Sequence, residues 1–139
     1  MSLRLFTNIA KIYRTMVKVL NKRFSELGLN YFDFLVLRAL EERSMSMNEI
    51  AKRYFVTQAT VTSTVDKLER MGLVKRNREE FDRRIVTVNL TEEGRMILKD
   101  LSKIVYDFMD KAVEGVDYES VIPVLEKVLK NVESMEKRG

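Results

Sequence analysis

Apolar residues recur at helical spacing through most of this chain, and few residues interrupt them. The 139 residues include five glycines and one proline, which favours helices over a turn-rich β-sandwich. Residues 3–27 predict a first helix that ends at Gly28, because a glycine readily adopts the left-handed conformation that caps a helix. Asn30 is placed to cap a second helix that runs to about residue 43. The first third of the chain is therefore predicted to be helical.

The next segment predicts two short helices separated by a tight break. Ser46 and Glu49 have the spacing of a capping box, in which each side chain bonds the other residue's backbone amide. Residues 55–56 form the break, and Thr57 is a suitable N-cap for a helix over 58–71, which Gly72 stops. This arrangement is typical of a helix-turn-helix.

Two β-rich runs follow, at residues 73–76 and 85–90, separated by a charged tip. They predict a hairpin, and long helices are predicted after it over 91–113 and 118–137. The order of elements indicates a mainly α fold with a small β-hairpin wing, that is, a winged helix-turn-helix.

The helix over 58–71 has an unusual surface. Val61, Val65, Leu68 and Met71 are spaced to face inward. The other positions of its first two turns are small, carry hydroxyls or, at Gln58, carry an amide, and Lys67 and Arg70 lie further on. Helix stability does not require such residues, but they suit phosphates and base edges in a major groove. The residues of the first two turns are Thr57, Gln58, Ala59, Thr60, Thr62, Ser63 and Thr64. The alternative is an ordinary solvated helix with a threonine-rich face.

Absent residue types exclude several kinds of chemistry. The chain contains no cysteine and no histidine, so disulfides, thiol redox sensing, Cys/His zinc sites and histidine-based triads are excluded. An enzyme built on Asp107, Asp110 and Glu114 is disfavoured, because their spacing puts them on a solvent face. No cofactor or metal is predicted. Lacking a signal peptide and a membrane-length apolar run, the protein is expected to be cytoplasmic.

The positive charge is unevenly distributed. Twenty-five basic and 21 acidic residues give a net charge of +4, and residues 1–30 contain six basic residues against one acidic residue. This distribution is compatible with a polyanionic partner but does not by itself establish one. The first helix has five basic residues in its central and final turns: Lys11, Arg14, Lys18, Lys22 and Arg23. Three roles are open to them, namely flanking phosphates, lining a ligand cleft or forming a solvated face.

Five stretches of the sequence, 47–51, 60–62, 65–76, 82–84 and 86–94, resemble the core, the wing and the start of the next helix in the MarR (multiple antibiotic resistance) family of transcription regulators. They occur in the family's order and with its gaps, and the element order outside them agrees, so the resemblance covers essentially the whole chain. It implies a homodimeric, triangular winged-helix protein that binds double-stranded, pseudo-palindromic operator DNA, usually as a repressor. An interaction module that uses the same surface for protein is the alternative function.

The resemblance also implies site residues. The family's recognition-helix face corresponds here to Gln58, Ala59, Thr60, Thr62, Ser63 and Lys67, and its wing pair to Asp82 and Arg84. Together with Thr57 from the helix surface and the wing arginines Arg78 and Arg83, the predicted DNA-binding residues are Thr57, Gln58, Ala59, Thr60, Thr62, Ser63, Lys67, Arg78, Arg83 and Arg84. Asp82 matches a wing aspartate that anchors Arg84, a pair that alternatively just braces the hairpin. The chain departs from the family at Phe81, where an arginine often enters the minor groove. Either Arg78 or Arg83 replaces that contact or the wing contributes less. Phe81 is expected to pack on the hairpin, with insertion against a DNA sugar as the alternative.

The two ends of the chain are strongly apolar and predict a dimer. A winged-helix core cannot cover both ends, so intertwined helices from two subunits are expected, with a monomeric helical layer as the alternative. We expect one MarR-like domain over 1–139, with dimerisation helices at 1–29 and 95–139 and a DNA-binding lobe at 30–94. Family members often release DNA when a small anionic aromatic effector binds between these parts.

Overall fold

Residues 2–138 are described by a computed structural model. Within them lie six α-helices and one two-stranded hairpin, so the predicted mainly helical fold with a β wing is confirmed. The elements are α1 Ser2–Phe24, α2 Tyr31–Glu42, α3 Met47–Tyr54, α4 Gln58–Arg70, β1 Val74–Arg78, β2 Val86–Leu90, α5 Glu92–Ala112 and α6 Tyr118–Arg138. The predicted dimerisation segments each include one terminal residue outside the described range.

The helix starts are fixed by the predicted caps. The Asn30 side chain accepts from the Asp33 amide at 2.9 Å, and Asp33 accepts in return from the Asn30 amide at 2.8 Å. Ser46 and Glu49 exchange the same pair of bonds at the start of α3. The Thr57 hydroxyl accepts from the backbone amide of residue 60 and so begins α4.

One predicted detail of the helices is confirmed and one is wrong. The predicted left-handed cap at Gly28 is present, with φ of 72°, and it closes a 3-10 turn, Ser25–Leu27, that follows the end of α1 at Phe24. Met71, predicted to face inward, is 41% exposed at the C-cap position just after α4.

The chain forms two compact units, one ending at Val105 and the other beginning at Tyr106. In the first unit, α2, α3, α4 and the hairpin enclose a core of fully buried side chains: Leu37, Ile50, Val61, Val65, Leu68 and Val88. In the second unit, α6 contains no buried residue. Its exposed large apolar residues are Tyr118, Val121, Ile122, Val124, Leu125, Leu129, Val132 and Met135.

The base of the hairpin is joined to the segment before α3. β1 and β2 are antiparallel, with Val74 opposite Leu90 and Arg78 opposite Val86. Met45 adds a bridge, since its amide donates to the Val88 carbonyl at 3.2 Å and its carbonyl accepts from the Val88 amide at 2.7 Å. This bridge holds the start of α3 beside the wing.

Candidate nucleic-acid interface

The exposed face of α4 forms the first part of the candidate site. Val61, Val65 and Leu68 are fully buried, which turns the opposite side of the helix outward. Gln58, Ala59, Thr60 and Ser63 are exposed, whereas Thr62 is half-buried. The predicted exposed face of the helix is therefore present over its first two turns.

Several hydroxyls on this face already have partners within the protein. The Thr57 hydroxyl caps α4 and lies 2.8 Å from the Thr60 hydroxyl. The Thr62 hydroxyl lies 3.0 Å from the carbonyl oxygen of Gln58 and 3.3 Å from the sulfur of Met47. These threonines thus offer methyl groups more readily than hydroxyls, which suits contact with a thymine methyl.

A groove of about 720 Å³ connects this face to the wing. Three segments line it: the N-terminus of α3, the exposed side of α4 and the hairpin. The lining residues are Ser46, Met47, Asn48, Gln58, Thr62, Asp66, Arg76, Arg78, Arg84, Ile85 and Val86. The sequence had indicated the α4 and wing-arginine contributions. It had not indicated the start of α3, although the capping box that fixes this helix end was recognised.

The wing is held in shape by its arginines. Arg84 donates from Nε and a terminal nitrogen to the two carboxylate oxygens of Asp82, both at 3.0 Å, so the predicted pair is confirmed. The Arg84 side chain and its backbone amide hold the pKa of Asp82 below its usual value, and the carboxylate is ionised at neutral pH. Arg78 donates to the carbonyl oxygen of Arg83 at 2.8 Å.

Arg76 links the wing to α4, a role that the sequence did not reveal. Its guanidinium donates to Glu69 at 3.1 Å and pairs with Asp66, and its backbone amide also donates to Glu69 at 3.1 Å. Without Arg76, both carboxylates of α4 would repel a polyanion at this groove. The sequence did contain a signal for this link: two carboxylates lie three residues apart on α4, and an arginine follows shortly after the helix ends.

Lys67 has a different position from the one predicted. Its ammonium group pairs with the carboxylate of Asp33, which is fully buried at the start of α2. The expectation that Lys67 belongs to the open face of α4 is therefore wrong, because this side chain points toward α2 and is engaged there.

Phe81 is also placed differently from the prediction. It is 81% exposed at the wing tip and does not pack on the hairpin. Arg83 and Arg84 are exposed next to it, and the Arg84 side chain is 90% exposed even though it is paired. The tip therefore presents one aromatic ring and two cationic groups to solvent.

The alternative sites have little structural support. Asp107, Asp110 and Glu114 are exposed, and residues 2–138 contain no group of three or more potential ligands arranged to hold a metal ion. Tyr31 stacks on Phe34, with 6.0 Å between ring centroids. Phe32 meets the edge of the Tyr54 ring, so both Tyr31 and Phe32 have packing roles. No described helix has the length and apolar character needed to span a membrane.

Comparison with known proteins agrees with this geometry. A family model described as the transcriptional regulator SarA/Rot matches residues 18–101. The HTH-type transcriptional regulator MhqR of Bacillus subtilis is 32% identical over 114 residues, which cover 81% of this chain and 74% of MhqR.

Solved structures show the same fold. The transcriptional regulator BldR from Sulfolobus solfataricus is 41% identical, with a TM-score of 0.87 over 94% of this chain and 95% of BldR. A mutant of MarR from E. coli, solved in complex with operator DNA, is 26% identical with a TM-score of 0.76 over 93% of each chain. This chain belongs to the SarA/Rot family of transcriptional regulators and is a DNA-binding winged-helix protein of the MarR type, not an enzyme.

Proposed function

We propose that this regulator binds a pseudo-palindromic operator as a homodimer and that α4 of each subunit reads one half-site. The groove between the start of α3, α4 and the wing carries the proposal. A B-DNA major groove is about 12 Å wide and admits a helix, and the first turns of α4 present an exposed amide, a methyl and a hydroxyl. These belong to Gln58, Ala59 and Ser63.

The contact set follows from the side chains that remain available. Thr57, Thr60 and Thr62 supply methyl groups beside the base-reading positions. Arg78, Arg83 and Arg84 supply positive charge on the wing. Since half or more of protein–DNA hydrogen bonds go to the backbone, the wing serves mainly to position the protein.

The dimer is supported by uncovered apolar surface. α6 has no buried residue, and most apolar side chains of α1 before Leu20 are exposed. Helices with wide apolar faces bury them against another chain. We assign the dimerisation role to 1–29 and 95–139 and the DNA-reading role to 30–94. Two-fold symmetry then requires two half-sites whose centres are separated by one DNA turn, about 34 Å, or by a multiple of it.

Regulation is proposed to depend on that separation. In the cytoplasm, a dimer bound to a promoter excludes other proteins from that DNA and so represses transcription. A small anionic aromatic effector that favours a different spacing of the two α4 helices would lower operator affinity, because ligands shift equilibria only through differential binding.

The proposal is tested by selecting bound fragments from a random duplex pool, with the oligomeric state measured by light scattering. An inverted repeat recovered by a dimer is the expected result. A monomer, or a pool without any preferred sequence, would contradict it. In the latter case, an interaction module that recognises protein becomes the better assignment.

Gln58→Ala is expected to weaken operator binding by about 1–3 kcal/mol and to relax preference at one base pair of each half-site, because a glutamine amide can pair bidentately with adenine. Binding is measured on the operator and on operators changed at single positions. Asn77→Ala removes an exposed amide outside the groove and serves as the control. An equal loss on random DNA would contradict base reading by Gln58.

Arg83→Ala is expected to weaken binding to all sequences alike and to lower the slope of log affinity against log salt by about one for each subunit bound, since each subunit loses one phosphate contact. Titrations on the operator and on random duplex measure both quantities. Lys75→Ala removes an exposed charge that does not line the groove. If the slope is the same for Arg83→Ala and wild type, Arg83 does not neutralise a phosphate.

A further inference from the structure

One face of α1 carries a continuous row of positive charge. The helix Ser2–Phe24 contains six basic residues and no acidic residue. At about 100° per residue, five of the six fall within an arc of about 80°. We call them the basic stripe: Arg4, Lys11, Arg14, Lys18 and Lys22.

The cations of the basic stripe are exposed and unpaired. All five side chains lie at the surface, and within residues 2–138 none of them forms an ion pair. Arg43 and Arg53, by contrast, pair with Glu49 and Glu42 at 2.8 and 2.9 Å. Like charges three or four residues apart on a helix repel each other, so the stripe costs α1 stability that a bound polyanion would restore.

The rest of α1 fixes the direction in which the stripe faces. Leu20 and Phe24 are fully buried, and the Asn21 side chain accepts from the Tyr31 amide at 2.7 Å, so the end of α1 is anchored to α2. These two buried residues lie on the side of the helix opposite the stripe. An amphipathic helix that binds a membrane would insert that same apolar side, which the anchored end cannot offer.

The length of the stripe suits a duplex. From Arg4 to Lys22 it spans about 27 Å at 1.5 Å per residue. One strand of B-DNA presents a phosphate about every 3.4 Å along the axis, so the stripe runs beside about eight base pairs. None of its residues lines the groove between α4 and the wing.

We propose that the basic stripe of α1 is a second DNA-binding surface, which contacts the phosphate backbone outside the half-site read by α4. This proposal rests on the proposed function in taking duplex DNA as the ligand. Its consequence is that affinity and salt dependence increase with duplex length beyond the operator.

The test uses the full chain with Lys11, Arg14, Lys18 and Lys22 all changed to glutamine, a residue that preserves helix propensity. The control changes four exposed lysines elsewhere, Lys99, Lys103, Lys127 and Lys130, to glutamine and so removes the same net charge. Affinity is measured against salt on a random duplex of about 60 base pairs and on a short operator duplex; each lost phosphate contact lowers the slope by about 0.9. Circular dichroism checks that α1 is retained.

The stripe variant is expected to lower the slope on the long duplex by about 3 to 4 for each subunit bound, and so by about 7 for the dimer, with a smaller change on the short operator and little change in the control. Equal slopes for stripe variant and control would overturn the proposal. So would an unchanged slope accompanied by loss of binding to vesicles containing phosphatidylserine, or by a change of oligomeric state in sedimentation.

These outcomes distinguish failure of the stripe proposal from failure of the proposed function. A wild-type protein that selects no inverted repeat but loses its steep salt slope in the stripe variant supports the stripe and contradicts sequence reading. A dimer that selects an inverted repeat, with no effect of the stripe variant, contradicts the stripe alone. A wild-type protein that binds no duplex contradicts both.

Discussion

Lys67→Met is expected to lower the free energy of unfolding by about 2–4 kcal/mol, because it leaves a buried carboxylate without its cationic partner. Asp33 is fully buried, and one of its oxygens accepts both the Lys67 ammonium and the Asn30 amide. Methionine keeps most of the side-chain volume, so the loss reports the charge rather than a cavity. Urea denaturation followed by circular dichroism measures it.

A double-mutant cycle identifies the cause. Asp33→Asn combined with Lys67→Met removes both charges, and the asparagine oxygen still accepts the capping bond from Asn30, so the double variant should be more stable than Lys67→Met alone. Lys75→Met, at an exposed position, should stay within about 0.5 kcal/mol of wild type. If Lys67→Met is instead as stable as wild type, and its slope of log DNA affinity against log salt is lower by about one for each subunit bound, then Lys67 is a phosphate contact.

The features predicted well from the sequence are those fixed by neighbouring residues. Asn30, Ser46 and Thr57 each bond the backbone amide three residues later, so their caps are visible as local spacing. Asp82 and Arg84 are also close, two residues apart, although their pairing was implied by the family resemblance and not by spacing. Local hydrogen bonds of this kind set where helices and turns begin.

The features that were missed depend on residues far apart in the chain. Lys67 is separated from Asp33 by 34 positions, and its helical position alone placed it equally well on the open face. Met45 bridges to Val88 across an even longer separation. Spacing along one helix does not reveal which neighbouring element a long side chain will meet.

The candidate site combines both kinds of information. The exposed positions of α4 followed from its buried side, because Val61, Val65 and Leu68 repeat at helical spacing. The groove needed the fold, since the start of α3 is held there by the bridge between Met45 and β2 and by the contact of Met47 with Thr62. Phe81 shows the opposite error, in that an apolar residue in a charged loop was expected to pack and is exposed.

Gly94→Ala is expected to lower the free energy of unfolding by about 3 kcal/mol, at the upper end of what overpacking usually costs. An added Cβ would lie 2.1 Å from the carbonyl oxygen of Leu73 and 2.7 Å from a methyl group of Leu90. The first of these atoms belongs to the backbone, so no side-chain rotation relieves the clash. Thermal and urea denaturation measure the loss.

The same clash should also weaken operator binding, because the first turn of α5 is tied to the end of α4 and to the wing. The Thr91 amide donates to the Leu73 carbonyl at 3.1 Å, and the Thr91 hydroxyl donates to the Gly72 carbonyl at 2.7 Å. Moving Leu73 displaces β1 and, with it, Arg76 and Arg78 in the groove. Arg95→Ala, at the next position of α5 and exposed, should change stability by about 0.5 kcal/mol or less. If Gly94→Ala matches Arg95→Ala in stability, the close approach of α5 to Leu73 does not constrain the wing.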